Sequence, residues 1–236
     1  MISIIIPARN EEETIVSTLL NLVKNLEGLS YEIIVVDDHS SDKTVEVVEK
    51  VCIKSPQVKL TTNNFQPGLG GTLKRGFAEA GGEVVIPVMA DLCDDPGTIR
   101  AMYRKIKEGY DVVCGSRYIK GGEREGGPLL KRFLSRGAGK MARILTGLPT
   151  HDATNAFKMY RKELIDNLNI ESKGFEIFLE IPLKLYFQGG RITEVPTLWK
   201  ARSKGKSKFS SWQTLIPYLK WLTWGFFKRV LKLGEK

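Results

Sequence analysis

The chain has 236 residues, a length that suits one large domain or one domain with an appendage. A content of 42% hydrophobic and 27% charged residues excludes disorder throughout, and three unclustered cysteines exclude a disulfide framework or a Cys-only zinc site. The net charge of +9 sits entirely in residues 199–236, where ten basic residues stand against Glu235 alone, while residues 1–198 are balanced.

In chain order, Ser3–Ile6 reads as a short apolar strand that stops at Pro7. The opening runs straight into this strand, so no signal peptide is expected. Ile15, Leu19, Leu22 and Leu26 then recur at helical spacing, with Glu11, Glu12 and Glu13 at the start, where a helix dipole favours anions. Glu32–Val36 is a β-branched strand ending in Asp37-Asp38, and His39–Asp42 forms the turn into a helix through Val45, Val48 and Val51. Val58–Thr61 is a third strand. Leu69–Ala80 is a helix behind a Gly-rich turn, Val84–Met89 a fourth strand, Pro96–Lys107 a helix and Asp111–Cys114 a fifth strand. Strands alternating with helices predict an α/β fold with a mostly parallel sheet covered on both faces.

Ligands of such sheets bind outside the carboxyl ends of the strands. Polar residues gather at those ends: Arg9, Asn10 and Glu11 after the first strand, Asp37 and Asp38 after the second, Asp91, Asp94 and Asp95 after the fourth, Ser116 and Arg117 after the fifth. One such loop is an ordinary solvated turn; four on one edge define a crevice for a cation together with an anionic ligand. A Rossmann fingerprint is excluded, because the first turn, Ala8-Arg9-Asn10-Glu11, has no glycine and carries a carboxylate. Pro67-Gly68-Leu69-Gly70-Gly71 lacks the Lys-Ser/Thr of a P-loop and reads as a tight turn.

The ordered set IIIPARNEEETI, EIIVVDDHSSDKT, PGLGGTLKRGF, VIPVMADLCDDP and VVCGSRYIKGG resembles the inverting nucleotide-sugar glycosyltransferases of family two, which have the GT-A fold. Within that family the chain resembles the polyprenyl-phosphate sugar synthases, and the likeness continues through KRFLSRGAGKMARILTG, HDATNAFKMYRKEL and the 202–208 segment. The resemblance implies a GT-A domain over 1–211, with a nucleotide-sugar half (about 1–115) and an acceptor half (about 116–211). It implies that Pro7, Ala8, Arg9 and Glu11 line the nucleotide pocket, with Val36, Asp37 and Asp38 around the base. Ala90 and Asp91 would meet the donor diphosphate, Asp91 as the ligand of Mg²⁺ or Mn²⁺. Arg117, Arg202 and Lys208 would contact phosphate, and Arg132, Ser135 and Arg136 would receive the lipid phosphate. One departure stands out: the family's Asp-x-Asp-Leu-Gln reads Met89-Ala90-Asp91-Leu92-Cys93 here. A hard cation prefers oxygen ligands, so weakened metal binding is expected, with Asp94 or Asp95 as substitutes.

The implied reaction moves a hexose, mannose-like, from a GDP- or UDP-linked sugar to polyprenyl phosphate. A phosphate acceptor is already anionic at neutral pH and needs no general base. Of the two histidines, His39 falls in the base-binding turn and His151 reads as a loop residue. Asp152 remains open as a sugar-orienting group, a base or a turn carboxylate. Arg117 and Arg202 are expected on exposed loops.

All four tryptophans lie at 199–224, and 212–236 reads as a basic amphipathic helix. At 100° per residue, Leu215, Ile216, Leu219, Leu222, Phe226, Phe227, Val230 and Leu233 share one arc, with Tyr218, Trp221 and Trp224 among the opposing lysines and arginines. The pattern predicts a helix lying on anionic lipid, peripheral on the cytoplasmic face, and a body that folds without residues 217–236. Nucleic acid is disfavoured by the neutral body. A saccharide or small-molecule acceptor, and an impaired sugar-nucleotide-binding protein, are the alternatives.

Overall fold

The computed structural model describes residues 1–202 and 211–234, without the side chains of residues 131, 211–214 and 232–234. Nine strands and eight helices are described. They run β1 (Ile2–Ala8), α1 (Ile15–Asn25), β2 (Tyr31–Asp37), α2 (Thr44–Lys54), β3 (Val58–Thr62), α3 (Leu69–Glu79), β4 (Val84–Pro87), α4 (Thr98–Lys107), β5 (Val112–Ser116), β6 (Glu123–Glu125), α5 (Leu129–Thr146), β7 (Lys158–Arg161), α6 (Lys162–Asp166), α7 (Ile177–Phe187), β8 (Ile192–Pro196), β9 (Leu198–Lys200) and α8 (Ser211–Gly234).

Seven strands form one sheet in the order β3-β2-β1-β4-β7-β5-β8. All pairings are parallel except those of β7, which runs antiparallel between β4 and β5. Two antiparallel steps restore the direction, so β1, β2, β4 and β5 all end at the same edge. Side chains alternate across the sheet. Ile2, Ile4, Ile6, Ile33 and Val35 pack with α1, α2 and α4, while Ile5, Ile34 and Val36 pack with α3 and α7. α3 lies close because of Gly76: a Cβ there would stand 2.2 Å from Ile5 Cγ2.

Several sequence boundaries shift. β4 ends at Pro87, two residues before Met89, and α4 begins at Thr98, where Asp95 accepts from the Gly97 N–H and the Thr98 hydroxyl. The three glutamates do not cap α1, which has no acidic residue in its first turn. Instead Glu12 accepts the Lys43 N–H at 2.8 Å, and the Glu11 N–H donates to Thr44 Oγ1 at 2.8 Å. They tie the turn after β1 to the turn after β2.

α8 corrects the sequence reading most. Trp221 and Leu222 are buried in the core, and Trp221 Nε1 donates to Ser172 Oγ at 3.0 Å. Tyr218 donates to the Phe175 carbonyl, Lys220 pairs with Glu171, and Gly225 fits against Thr146 of α5. The aromatic side thus docks on α5 and α7 rather than lying among lipid headgroups. Removing 217–236 would strip Trp221 and Leu222 from the core, at a cost of several kcal/mol, so the body is not independent of its tail. Leu215, Ile216, Leu219, Phe226, Phe227 and Val230 remain exposed, as do Leu129, Leu130, Phe133, Leu134, Met141 and Ile144 of α5.

Candidate active site

The carboxyl edge of the sheet carries three non-glycine residues in the left-handed region: Asn10 (φ 52°), His39 (φ 58°) and Leu92 (φ 59°). Each lies two to five residues beyond β1, β2 or β4. Such conformations are uncommon, and they collect where surrounding structure holds a functional turn. Here Asn10 Oδ1 accepts the Ser41 N–H at 2.7 Å, and Ser40 Oγ accepts the Asn10 N–H at 2.9 Å. Two strand-end turns therefore brace each other.

Asp38 forms the floor beside them. It is buried, with Oδ1 accepting from Asn63 at 2.7 Å and Oδ2 from the Gly68 N–H at 3.0 Å. Arg9 lies 3.5 Å from the same carboxylate. Asp37 accepts the Ser40 N–H, and Pro7, Ala8 and Val36 are buried, with the Ala8 carbonyl accepting the Asp38 N–H. Gly68, at φ +112°, turns the chain into α3, and a Cβ on Gly70 in the first turn of that helix would meet the Ser172 carbonyl at 2.3 Å. Asn63 is absent from the sequence reading: it stands one residue past β3 with no motif around it.

Asp91 takes the Cys93 N–H on Oδ1 at 3.1 Å and the Arg202 guanidinium on Oδ2 at 2.7 Å. The contact links residues 111 positions apart and brings Arg202 to the strand-end edge. Ala90 is buried, its carbonyl held by Thr18. Lys208 lies outside the described residues. Burial and the Asp91 charge raise the Cys93 thiol well above the ordinary range, so it is neutral and no ligand for a hard cation. Asp95 is spent on capping α4. Burial and the neighbouring Asp91 push Asp94 up to about 7, against the pull of Arg117. Among the described residues no three His, Cys, Asp or Glu side chains stand together as a metal cage. The donor set fits a cation that shares one carboxylate with substrate oxygens, the usual habit of Mg²⁺.

Arg117 is not exposed, contrary to the expectation from its position. Its side chain is 8% accessible and Asp152 is fully buried. Nε and Nη2 donate to the two Asp152 oxygens, both at 2.7 Å, and the Arg117 N–H adds a third bond at 3.0 Å. Burial opposes the guanidinium charge, but the Asp152 pair outweighs it and raises the pKa. Asp152 is thus engaged with an arginine. The turn that carries it is stapled by buried Lys158, which donates to the Ala153 and Asn155 carbonyls, and by Asn155, which donates to the Gly115 carbonyl. His151 sits outside this pair, between Glu194 and Arg143, as a loop residue.

On α5, Arg132 and Arg136 are exposed. Ser135 meets the Tyr118 hydroxyl at 2.5 Å, which joins the start of α5 to the residue after Arg117.

Residues 3–168 match the sequence profile described as Glycosyl transferase family 2. The chain belongs to that family, and its sheet has the GT-A architecture. A dolichol-phosphate mannosyltransferase of Pyrococcus furiosus is 36% identical over 93% of this chain, which spans 62% of that protein's length. A polyprenol monophosphomannose synthase of Mycolicibacterium smegmatis is 27% identical over 96% of the chain and 88% of its own length. A dolichol-phosphate mannosyltransferase of Saccharomyces cerevisiae is 31% identical over 93% of the chain and 85% of its own length. Among solved structures, glucosyl-3-phosphoglycerate synthase from Mycobacterium tuberculosis, in complex with Mn²⁺, UDP and glucosyl-3-phosphoglycerate, superposes with a TM-score of 0.72 at 21% identity. That match covers 95% of this chain and 79% of the other.

Proposed function

We propose that this glycosyltransferase moves a hexose, mannose-like, from a nucleoside-diphosphate sugar to a polyprenyl phosphate at a membrane surface, with inversion at the anomeric carbon. The observation that carries the reading is the pairing of two features. A strand-end edge holds Asp38, the Asp91–Arg202 pair and the Arg117–Asp152 pair. Beside it, joined through Tyr118 and Ser135, α5 presents basic residues together with an exposed apolar face. The names of the Pyrococcus, Mycolicibacterium and Saccharomyces relatives point to the same acceptor class.

In this reading Pro7, Ala8, Arg9, Glu11, Val36, Asp37 and Asp38 surround the nucleotide. Ala90, Asp91, Arg117, Arg202 and Lys208 face its diphosphate, and Arg132, Ser135 and Arg136 face the acceptor phosphate. Asp91 is the residue that would hold Mg²⁺ or Mn²⁺, which when bound neutralises charge on the departing diphosphate. The acceptor phosphate oxygen forms a bond to the anomeric carbon from the face opposite the diphosphate. The bond to the diphosphate breaks, and its electron pair leaves on the diphosphate oxygen. Arg117 and Arg202 offset the negative charge that grows on the departing diphosphate. Asp152 holds Arg117 in place, and a phosphate nucleophile leaves it no proton to remove.

No helix among the described residues is long and apolar enough to cross a membrane. The exposed apolar faces of α5 and α8, with Lys220, Lys228, Arg229 and Lys232 nearby in sequence, suit a peripheral contact with anionic lipid. Each basic residue near such a surface contributes about 1 kcal/mol, and the contribution falls as salt rises. Sedimentation with vesicles of mixed anionic and neutral lipid tests this contact. Binding that weakens with salt, and is lost in Phe226→Ser/Phe227→Ser without a change in thermal stability, is expected. Equal binding by that variant, or none by the native protein, would contradict the surface reading.

A further inference from the structure

One arginine near the edge belongs to neither ion pair nor to any role assigned above. Arg124 lies on β6, in register with Trp199 of β9. Its guanidinium carbon stands 4.4 Å from the Trp199 ring centroid, and Nη1 donates to Ser135 Oγ at 3.2 Å. Nε is buried and has no partner among the described residues. Trp199 also serves Arg117, whose guanidinium carbon lies 6.0 Å from its ring centroid and 5.2 Å from that of Tyr118. The contrast between the two arginines is in their charge. Arg117 is neutralised by Asp152, whereas Arg124 has no carboxylate within 4.0 Å among the described residues.

A buried N–H without an acceptor is unusual in a folded protein, and each such group calls for an explanation. A planar guanidinium stacked on an indole keeps its in-plane N–H groups for an anion, and its fork geometry matches phosphate oxygens. Ser135, which Arg124 already touches, is one of the residues assigned to the acceptor phosphate. We propose that Arg124 is a further acceptor-binding residue, which grips the phosphomonoester of the acceptor together with Ser135. The Trp199 stack and the Ser135 hydroxyl hold its guanidinium ready before the acceptor arrives. This assignment rests on the proposed lipid-phosphate acceptor and adds a residue to it.

The test uses the full chain and the variants Arg124→Gln and Arg124→Lys. The donor is held at saturation while a short-chain, soluble polyprenyl phosphate is varied; phosphoglyceric acid serves as a second phosphomonoester. Calorimetry with the free nucleoside diphosphate and thermal melting accompany each variant. Loss of a charge-assisted contact predicts an acceptor KM about tenfold to a hundredfold higher in Arg124→Gln. Arg124→Lys, which keeps the charge and loses the fork, falls between. Nucleoside-diphosphate affinity stays at the native value. An unchanged acceptor KM in an active Arg124→Gln enzyme overturns the role of Arg124 and leaves the lipid-phosphate reading intact. Parallel loss of nucleotide affinity or of melting temperature in both variants marks a structural residue and also overturns it. Native transfer to phosphoglyceric acid but not to the polyprenyl phosphate removes the reading itself, and Arg124 as a lipid-phosphate ligand with it.

Discussion

Asp91→Asn is expected to lower sugar transfer by at least two to three decades with the fold intact. Asp91 is the one carboxylate that remains at the family's metal motif, since Met89 and Cys93 replace its other donors. It is also the partner of Arg202, at 2.7 Å. The amide keeps the side chain's size but removes the charge that a divalent cation and the guanidinium both require. Losing a preorganised electrostatic group at a developing charge costs roughly 10²–10³ in rate. Turnover and Mn²⁺ binding, measured together, check the prediction. Full activity in Asp91→Asn, with native activity that survives exhaustive chelation, would remove Asp91 from the chemistry.

The second large effect concerns stability as well as rate. Arg117→Ala is expected to destabilise the protein by about 3–5 kcal/mol, because it leaves the fully buried Asp152 as an unpaired charge. For a chain of this size, each kcal/mol corresponds to roughly 2–4 °C in melting temperature. Replacing both partners, as in Arg117→Met with Asp152→Leu, should recover most of that stability, since a buried ion pair is seldom better than apolar side chains of similar volume. It should not recover transfer. A double variant as unstable as the single one would mean that the pair does more for the fold than neutralise itself. Transfer at the native rate by the stable double variant would show that Arg117 takes no part in catalysis.

Much of this fold was legible because the runs at 2–6 and 32–36 are short and β-branched, which favours strands, while Ile15, Leu19, Leu22 and Leu26 recur at helical spacing. The common edge followed from parallel crossovers, and Asp38, Asp91 and Arg117 stand where that rule puts them. β7 was not legible: Lys158-Met159-Tyr160-Arg161 carries a lysine whose ammonium is buried on two backbone carbonyls, so its polarity hides a central strand. α8 misled for a related reason. Counting only aliphatic and Phe side chains set its apolar arc, while Trp221 and Tyr218 bury their rings and satisfy their polar atoms with Ser172 and the Phe175 carbonyl. The burial of Arg117 depended on Asp152, 35 residues away, and local sequence gives no sign of such a pair.

Passage of a sugar from this edge to a lipid phosphate is the step on which the proposed function stands. Its most direct test incubates the native chain with a radiolabelled, α-linked nucleoside-diphosphate mannose and a polyprenyl phosphate, with Mn²⁺, and determines the product's linkage by NMR. A β-linked mannosyl phosphodiester of the polyprenyl lipid is predicted; label found only in free mannose, or joined to a hydroxyl acceptor and never to the lipid phosphate, would contradict it.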